Sequence, residues 1–366
     1  MSTLLIIGNG FDLHCGLQSS YSNFFDSESR TSDFSIFKND FAEDRSHFRS
    51  SAYPLITEIC SFSSSESVWR VFFWCLGLLR GSQSQFQRWC DVENEIRQSL
   101  LPKSPLVSSF WQEVYSLVSS NWETHHSLSR EEEESFLYKW MASYIVNNKK
   151  ACFKNHPDAE SFYAFLLEEL AAFEKHFGFY LRDEVISHPD YRENAASFVQ
   201  QLCGNDSVII ESFNFTAPSI KNVKIRNLHG SLTSPIFGID VDQIDTDGPL
   251  YRFTKDIRCL KNQAGQEEVS NFDVITQVVV YGHALDPQDY NYFFSMLSTM
   301  ELQGANRQVR LKFLYSPHGD VTEEQARTQT SEAVAKLINH WDKANGKPIS
   351  TLSRLYFQKQ IVIRKA

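Results

Sequence analysis

The 366-residue chain is 42% hydrophobic and 14% aromatic, which is enough apolar material for a packed core and excludes a mostly disordered protein. Its formal net charge is −10, and no segment gathers the basic residues that contact nucleic-acid phosphates, so a nucleic-acid partner is not expected. The seven cysteines are scattered without a CxxC pair, which argues against a zinc ribbon or a disulfide framework and favours a reducing, cytoplasmic location.

The first predicted element is a buried strand, TLLII, which ends at Gly8, Asn9 and Gly10. Ligands of open α/β sheets bind at the carboxyl ends of the strands. The two glycines have no side chain to keep a pyrophosphate away from the backbone, so the turn predicts a nucleotide site. The pattern differs from the dinucleotide fingerprint GxGxxG, because Leu13 takes the place of the third glycine.

A long helical region is predicted between residues 25 and 204, where apolar residues recur at helical spacing, as in Phe162–Leu170. The apolar segment Val68–Arg80 is too short to cross a membrane and contains Arg70, so it predicts a buried helix. The first apolar run of the chain is short and has no basic leader, so no targeting segment is expected. The sequence therefore predicts no membrane partner.

From about residue 205 the pattern changes to strands, in the segments SVIIESFNF, NVKIRNLHG, DVITQVVVYGHAL, VRLKFLYSPHG and KQIVIRK. Continuous apolar runs are typical of parallel strands that are buried on both faces, and helical segments between them serve as crossovers. The predicted fold class is α/β, a doubly wound, mainly parallel, Rossmann-like sheet with a large helical insertion after the first βα unit. Residues 1–24 and 205–366 would form the nucleotide-binding domain, and residues 25–204 the insertion.

Three of these strands end in polar residues, at the edge where the glycine turn should also lie. Asn214 and Thr216 follow the first strand, His229 and Gly230 the second, and the turn GHALD the third. Several polar strand ends that converge on one edge indicate a binding site better than any one of them. Taken singly, His229 also fits a core histidine, and Asn214 an ordinary turn residue.

Four segments, in this order along the chain, resemble the AbiH family of bacterial phage abortive-infection proteins: GNGFDLHCGLQSSYSNFF, SFNFT, LHGSL and YGHALDPQDYNYFF. The segment WCDVE, from Trp89 to Glu93, resembles a further piece of that family within the helical region. The resemblance spans both ends of the chain and implies a role in phage defence. It does not distinguish a toxin from a sensor.

A more distant resemblance is to the sirtuin-like NAD-binding fold, and it implies NAD as ligand or substrate. By this resemblance Gly8 and Gly10 are the phosphate-side turn, Asn214 is the ribose-side asparagine and His229 is the catalytic histidine. The turn GHALD resembles the closing motif of sirtuin-like defence proteins. The other residues of the predicted cofactor site are Asn9, Phe11, Asp12, Thr216, Gly230, Gly282, His283 and Asp286.

The same resemblance implies hydrolysis of the nicotinamide–ribosyl bond, which would deplete the NAD of an infected cell. A histidine titrates in the range that suits proton transfer, so His229 is predicted as general base toward a ribose hydroxyl or a water. Asn214 is predicted to orient the ribose or that water, and Asp12 and Asp286 to stabilise the oxocarbenium-like ribose. The four-cysteine zinc module of sirtuin deacylases has no counterpart here, so neither deacylation nor a bound metal is expected.

The sequence leaves two other functions open. A metal-dependent nuclease would use Asp12, His14, Asp91, Glu93 and His283 as ligands, although the acidic charge and the missing basic stripe argue against it. A binding module without turnover would sense a nucleotide and signal through the helical insertion. Its partner would be another protein or a second copy of the chain.

Overall fold

The computed structural model describes residues 2–31, 65–80, 91–102, 104, 107–120, 133–152, 158–218, 220–240, 244–262, 274–302, 309–347 and 350–366. The chain forms two compact units. The sheet unit comprises Met1–Ser19, Gly178–Pro235 and Cys259–Ala366, and the helical unit comprises Ser20–Phe177 and Ile236–Arg258. The chain therefore passes from one unit to the other at four points.

The sheet unit contains strands β1 (Ser2–Ile7), β2 (Ser207–Ser212), β3 (Lys224–Asn227), β4 (Gly230–Ser231), β5 (Ser234–Pro235), β6 (Gln277–Tyr281), β7 (Arg310–Tyr315) and β8 (Ile361–Lys365). Six of them form one parallel sheet in the order β3-β2-β1-β6-β7-β8. The short strands β4 and β5 pair with each other in antiparallel orientation. Counted along the chain, the six sheet strands have the order 3-2-1-4-5-6 of the dinucleotide-binding doubly wound folds.

Both faces of the sheet are buried. Successive side chains of a strand point to opposite sides, so each strand contributes residues to both faces. In β1, Leu4 and Ile6 belong to one hydrophobic core and Leu5 and Ile7 to another. Apolar residues on both faces explain why the strand reads as a continuous apolar run. The predicted doubly wound α/β fold is confirmed, whereas the sirtuin-like resemblance stays a prediction.

Helices cover the two faces of the sheet. Tyr191 and Phe198 of one helix lie in the core with Leu5, and Phe293 and Trp341 of two others lie in the core with Leu4. The described helices assigned wholly to this unit are Asn9–His14, Tyr191–Cys203, Tyr290–Leu302, Glu323–Ala344 and Thr351–Phe357.

The helical unit has an aromatic core. Trp69 and Phe73 are fully buried, and the ring of Trp69 meets that of Trp111 edge-on with centroids 5.0 Å apart. The helix Val68–Arg80 is thus a buried helix, as predicted, and no described helix is long and apolar enough to span a membrane. The described helices that lie in this unit, wholly or in part, are Tyr21–Thr31, Val68–Arg80, Val92–Leu100, Phe110–Ser119, Glu133–Asn148, Ala159–Ser187 and Lys255–Lys261.

The segment Ile236–Arg258 belongs to the helical unit although it follows strands of the sheet unit. Two ion pairs with little solvent exposure hold it there. Arg258 Nη2 donates to Glu174 Oε2 at 2.8 Å, and Lys255 Nζ lies 2.9 Å from Glu93 Oε2. Because the loss of one partner would leave an uncompensated buried charge, these pairs fix the segment to its unit.

The predicted domain boundaries differ from this division in three places, of which the smallest is residues 20–24, predicted in the nucleotide-binding domain but part of the helical unit. The prediction assigns residues 178–204 to the helical insertion, whereas Tyr191 and Phe198 pack into a core of the sheet unit. It also assigns residues 236–258 to the nucleotide-binding domain, whereas they belong to the helical unit. Apolar periodicity predicts that a helix has a buried face, but it does not identify the surface that covers this face.

Candidate functional site

The carboxyl ends of β1, β2 and β6 lie side by side, because Ile7 is in register with Ser212 on one side and with Tyr281 on the other. The glycine turn, the Asn214 loop and the GHALD turn therefore start at one edge of the sheet. β1 is also the point where the strand order reverses, with β2 and β3 on one side and β6, β7 and β8 on the other. Ligands of open α/β sheets bind in the crevice outside such a point.

The glycines of this edge allow two turns to touch. Gly10 N donates to Gly282 O at 2.8 Å. A Cβ atom at Gly8 would lie 2.7 Å from Gly282 O, and one at Gly10 would lie 2.7 Å from Gly282 Cα. Contact between the two backbones therefore accounts for Gly8 and Gly10, and their predicted role next to a pyrophosphate stays a prediction.

The two non-glycine residues of the first turn differ in exposure. Asn9 is exposed, and its Oδ1 accepts a hydrogen bond from Ser19 Oγ at 2.6 Å. Phe11 is fully buried, with its ring centroid 5.6 Å from that of Phe198. Packing in the core explains the ring of Phe11, which the sequence analysis places in the cofactor site.

Asp12 is a buried carboxylate with an exposed fraction of 1%. Tyr191 Oη donates to its Oδ1 at 2.7 Å, and the Thr216 hydroxyl donates to its Oδ2. Burial raises the pKa of Asp12 to about 6, although hydrogen bonds from Thr216, Tyr191 and Asn214 lower it. The carboxylate thus connects the first helix to Tyr191 and to the loop after β2.

Replacing Asp12 by asparagine is expected to remove a pH-dependent loss of stability. The pKa of Asp12 rises from 3.8 to about 6 in the folded state, which therefore binds the proton more tightly than the unfolded state. The wild type should lose about 2 kcal/mol of unfolding free energy, relative to the variant, between about pH 4 and about pH 7. Urea unfolding at both pH values measures this change, and an equal pH dependence in the two proteins would contradict it.

Asn214 and the neighbouring Asn227 tie the loop after β2 to the edge of the sheet. Asn214 Nδ2 donates to Gly8 O at 3.0 Å. Asn227 Nδ2 donates to Asn214 O at 3.0 Å and to Thr216 O at 2.9 Å. Asn227 is not among the predicted residues, although its place at the end of β3, two residues before His229, is the same signal that identifies the others.

His229 and His283 flank the carboxylate of Asp289. Nε2 of His229 lies 3.4 Å from Oδ1 of Asp289, and Nε2 of His283 lies 3.3 Å from Oδ2. The three side chains are 5%, 6% and 12% exposed, and the ring of Phe213 meets both imidazoles edge-on. An imidazole nitrogen can accept a proton and pass it on, and a neighbouring carboxylate can orient the ring for this. The cluster is therefore suited to accept a proton.

Asp286 is one of the predicted site residues, and Asp289 is not. The two aspartates have different positions in the structure. Asp286 Oδ1 accepts a hydrogen bond from Gln288 N at 3.0 Å and caps the short 3-10 turn Pro287–Asp289. That turn carries Asp289 to the two imidazoles. Both aspartates occur in the segment DPQDY, and the path of the turn decides which of them reaches the imidazoles.

Gly230, another predicted site residue, follows His229 directly as the first residue of β4.

The ligand set of the nuclease hypothesis is not assembled in the described part of the chain, which contains no group of three or more His, Cys, Asp or Glu side chains that could hold a metal. Asp91 caps the helix Val92–Leu100, and Glu93 forms an ion pair with Lys255 of the segment Ile236–Arg258. The ring of His14 stacks on that of Phe198 at 3.8 Å. Residues 81–90, which include Trp89 and Cys90, lie outside the described residues.

The strand order and this edge define a doubly wound α/β protein whose polar residues gather at the reversal point of the sheet. The chain belongs to the AbiH family, because the family model described as "Bacteriophage abortive infection AbiH" matches residues 4–313. The family suggests a role in phage abortive infection. Comparison with curated proteins and with solved structures found no match.

Proposed function

We propose that this AbiH protein binds NAD at the carboxyl edge of its sheet and hydrolyses the nicotinamide–ribosyl bond, with His229 as the general base. The observation that carries the proposal is the position of His229, at the carboxyl edge of a doubly wound sheet and beside the carboxylate of Asp289. Loss of the cofactor pool would stop phage growth together with the growth of the infected cell.

The proposed step needs one base and no acid. His229 accepts a proton from the attacking water while the C1′–N bond breaks, and the nicotinamide leaves as a neutral molecule with the bonding electron pair. The products are nicotinamide, ADP-ribose and a proton, which His229 then releases to the solvent. Asp289, 3.4 Å from His229 Nε2, stabilises the imidazolium that forms.

Asn214 is the residue that we assign to the orientation of the ribose or the attacking water. Its Nδ2 is bonded to Gly8 O, which fixes the plane of its carboxamide. The amide oxygen then serves as the acceptor for a ribose hydroxyl or for the water. Asn227 holds the backbone of Asn214 in this position.

The burial of these groups favours a silent resting state. The exposed fractions of His229 and Asn214 are 4% and 6%, so a nucleotide has to displace protein to reach them. A cell that carries an NAD hydrolase needs such a state in the absence of phage. The same burial favours a second candidate function, in which the edge senses a nucleotide without turnover and the helical unit signals to a partner.

Measurement of cellular NAD after induced expression, with and without phage, tests the proposal. The wild type should lose NAD on infection, and His229→Gln should not, because glutamine cannot take up the proton. His176→Gln is the matched control, since His176 belongs to the helical unit and glutamine can keep its 2.9 Å contact with Glu28. Steady NAD in a wild-type strain that still blocks phage would overturn the hydrolase and support the sensor.

A further inference from the structure

Two imidazoles share one carboxylate at the candidate site. A backbone contact of one of them indicates which of its ring nitrogens carries the proton. Nε2 of His229 and Nε2 of His283 lie 3.4 Å and 3.3 Å from the two oxygens of Asp289. In a site without ligand, hydrogen bonds used in catalysis are often long and shorten when the substrate binds. For His283, the question is which of its two nitrogens carries the proton.

The second nitrogen of His283 answers it. Leu285 N donates to His283 Nδ1 at 2.8 Å. A backbone N–H group is always a donor, so Nδ1 carries a lone pair and the proton of the neutral ring is on Nε2, which faces Asp289. A proton on Nδ1 would set two N–H groups against each other. The backbone contact therefore indicates the tautomer of His283 that has its proton on Nε2.

Leu285, the donor of this contact, has a strained backbone conformation. Its φ angle is 55°, which is uncommon for a residue other than glycine, and its side chain is buried in a core of the sheet unit. Strained backbone that persists because its surroundings hold it is concentrated at functional sites. The turn that carries His283 is thus fixed on the side of Nδ1 by the backbone and on the side of Nε2 by Asp289.

Tyr292, Cys259, Phe213 and Asp289 are among the described groups that lie around the pair. Tyr292 has its ring centroid 5.4 Å from that of His229, and its hydroxyl lies 3.8 Å from Cys259 Sγ. Phe213 contacts both imidazoles with its apolar ring. Among the described residues, Asp289 is a charged group that lies within 4 Å of both imidazoles.

We propose that His283 is a positioning residue, held as a neutral imidazole with its proton on Nε2, which anchors Asp289 so that the charge of this carboxylate supports proton uptake by His229. The sequence predicts that His283 contacts the nucleotide. In this proposal, His283 acts through Asp289 instead. The role of His283 in catalysis rests on the proposed function. The central claim, the tautomer of His283, is independent of any activity.

NMR of the full chain with 15N-labelled histidine tests the tautomer. Comparison with His283→Gln and His229→Gln assigns the two sets of ring signals. In the folded protein, the His283 ring should show an unprotonated Nδ1 and a protonated Nε2. A His283 ring that carries its proton on Nδ1 would overturn the inference.

The rates of NAD cleavage by two amide variants of His283 test its role in the reaction. Glutamine at position 283 places an N–H donor near the position of Nε2, whereas asparagine places an acceptor near that of Nδ1 and has no donor for Asp289. His283→Gln should therefore be faster than His283→Asn by about 10–100-fold, the usual effect of losing a residue that orients another. Equal loss in both variants would contradict the positioning role. If the wild type itself does not cleave NAD, the proposed function fails, and the NMR result still decides the tautomer.

Discussion

The Gly282→Ala variant is expected to lose about 2–5 kcal/mol of unfolding free energy, as the sum of two effects. The φ angle of Gly282 is 70°, and an L-residue in this left-handed conformation costs about 1–2 kcal/mol. Its Cβ would also lie 2.7 Å from Gly10 C and closer still to Phe11 N, and such overpacking costs about 1–3 kcal/mol. Since both neighbours are backbone atoms, no side chain can rotate away to relieve the contact.

Gly346→Ala provides the matched control for this substitution. Gly346 has a φ angle of 59°, and a Cβ added there would have no described neighbour within 4 Å, so its replacement carries only the conformational cost of about 1–2 kcal/mol. Urea unfolding of the two variants separates the clash from the conformation. Equal stability of the variants would show that the turns can move apart without cost, and would remove the packing explanation for Gly8 and Gly10.

The His229→Gln variant is expected to cleave NAD about 10²–10⁴-fold more slowly than the wild type, the usual contribution of a general base. Glutamine retains a polar group near Asp289 but cannot accept a proton, so NAD affinity should stay close to that of the wild type. Single-turnover kinetics together with NAD titration by calorimetry measure the two effects separately. His176→Gln, in the helical unit, should match the wild type in both measurements.

A different result would redirect the assignment of the base. If His229→Gln cleaves NAD at the wild-type rate, the proton is taken by another group. If it loses both cleavage and affinity, His229 is a binding residue. In either case the general-base role of His229 would be rejected, although NAD would remain a ligand.

Most of the sheet could be predicted from the sequence, because its strands are apolar on both faces. TLLII and QVVVY are short continuous runs with no polar face, and only a parallel sheet with helices on both sides buries such strands completely. The membership of Ile236–Arg258 could not be predicted in this way. It depends on ion pairs with Glu93 and Glu174, and the sequence contains no signal that pairs charges so far apart along the chain.

The candidate site could be predicted as far as topology determines it. Asn214, His229 and His283 follow strands of one parallel sheet, so they have to lie near one edge. Asp289 lies on the 3-10 turn after β6 and Tyr191 starts the helix before β2, and in both elements a shift of one residue changes the direction of a side chain. The sequence explains Gly8 and Gly10 only by a bound phosphate, whereas the folded structure shows a close backbone contact at both positions.

The central place of β1 has a consequence for synthesis on the ribosome. β1 spans Ser2–Ile7, but its partners β2 and β6 begin only at Ser207 and Gln277. At about 5–20 residues per second, the roughly 200 residues before β2 take about 10–40 s to translate. During that time the apolar strand is exposed and has to be shielded by chaperones or by non-native contacts. A nascent chain that stops before Tyr281 is therefore an aggregation-prone product without the candidate site, so translation itself delays the moment at which the protein can act.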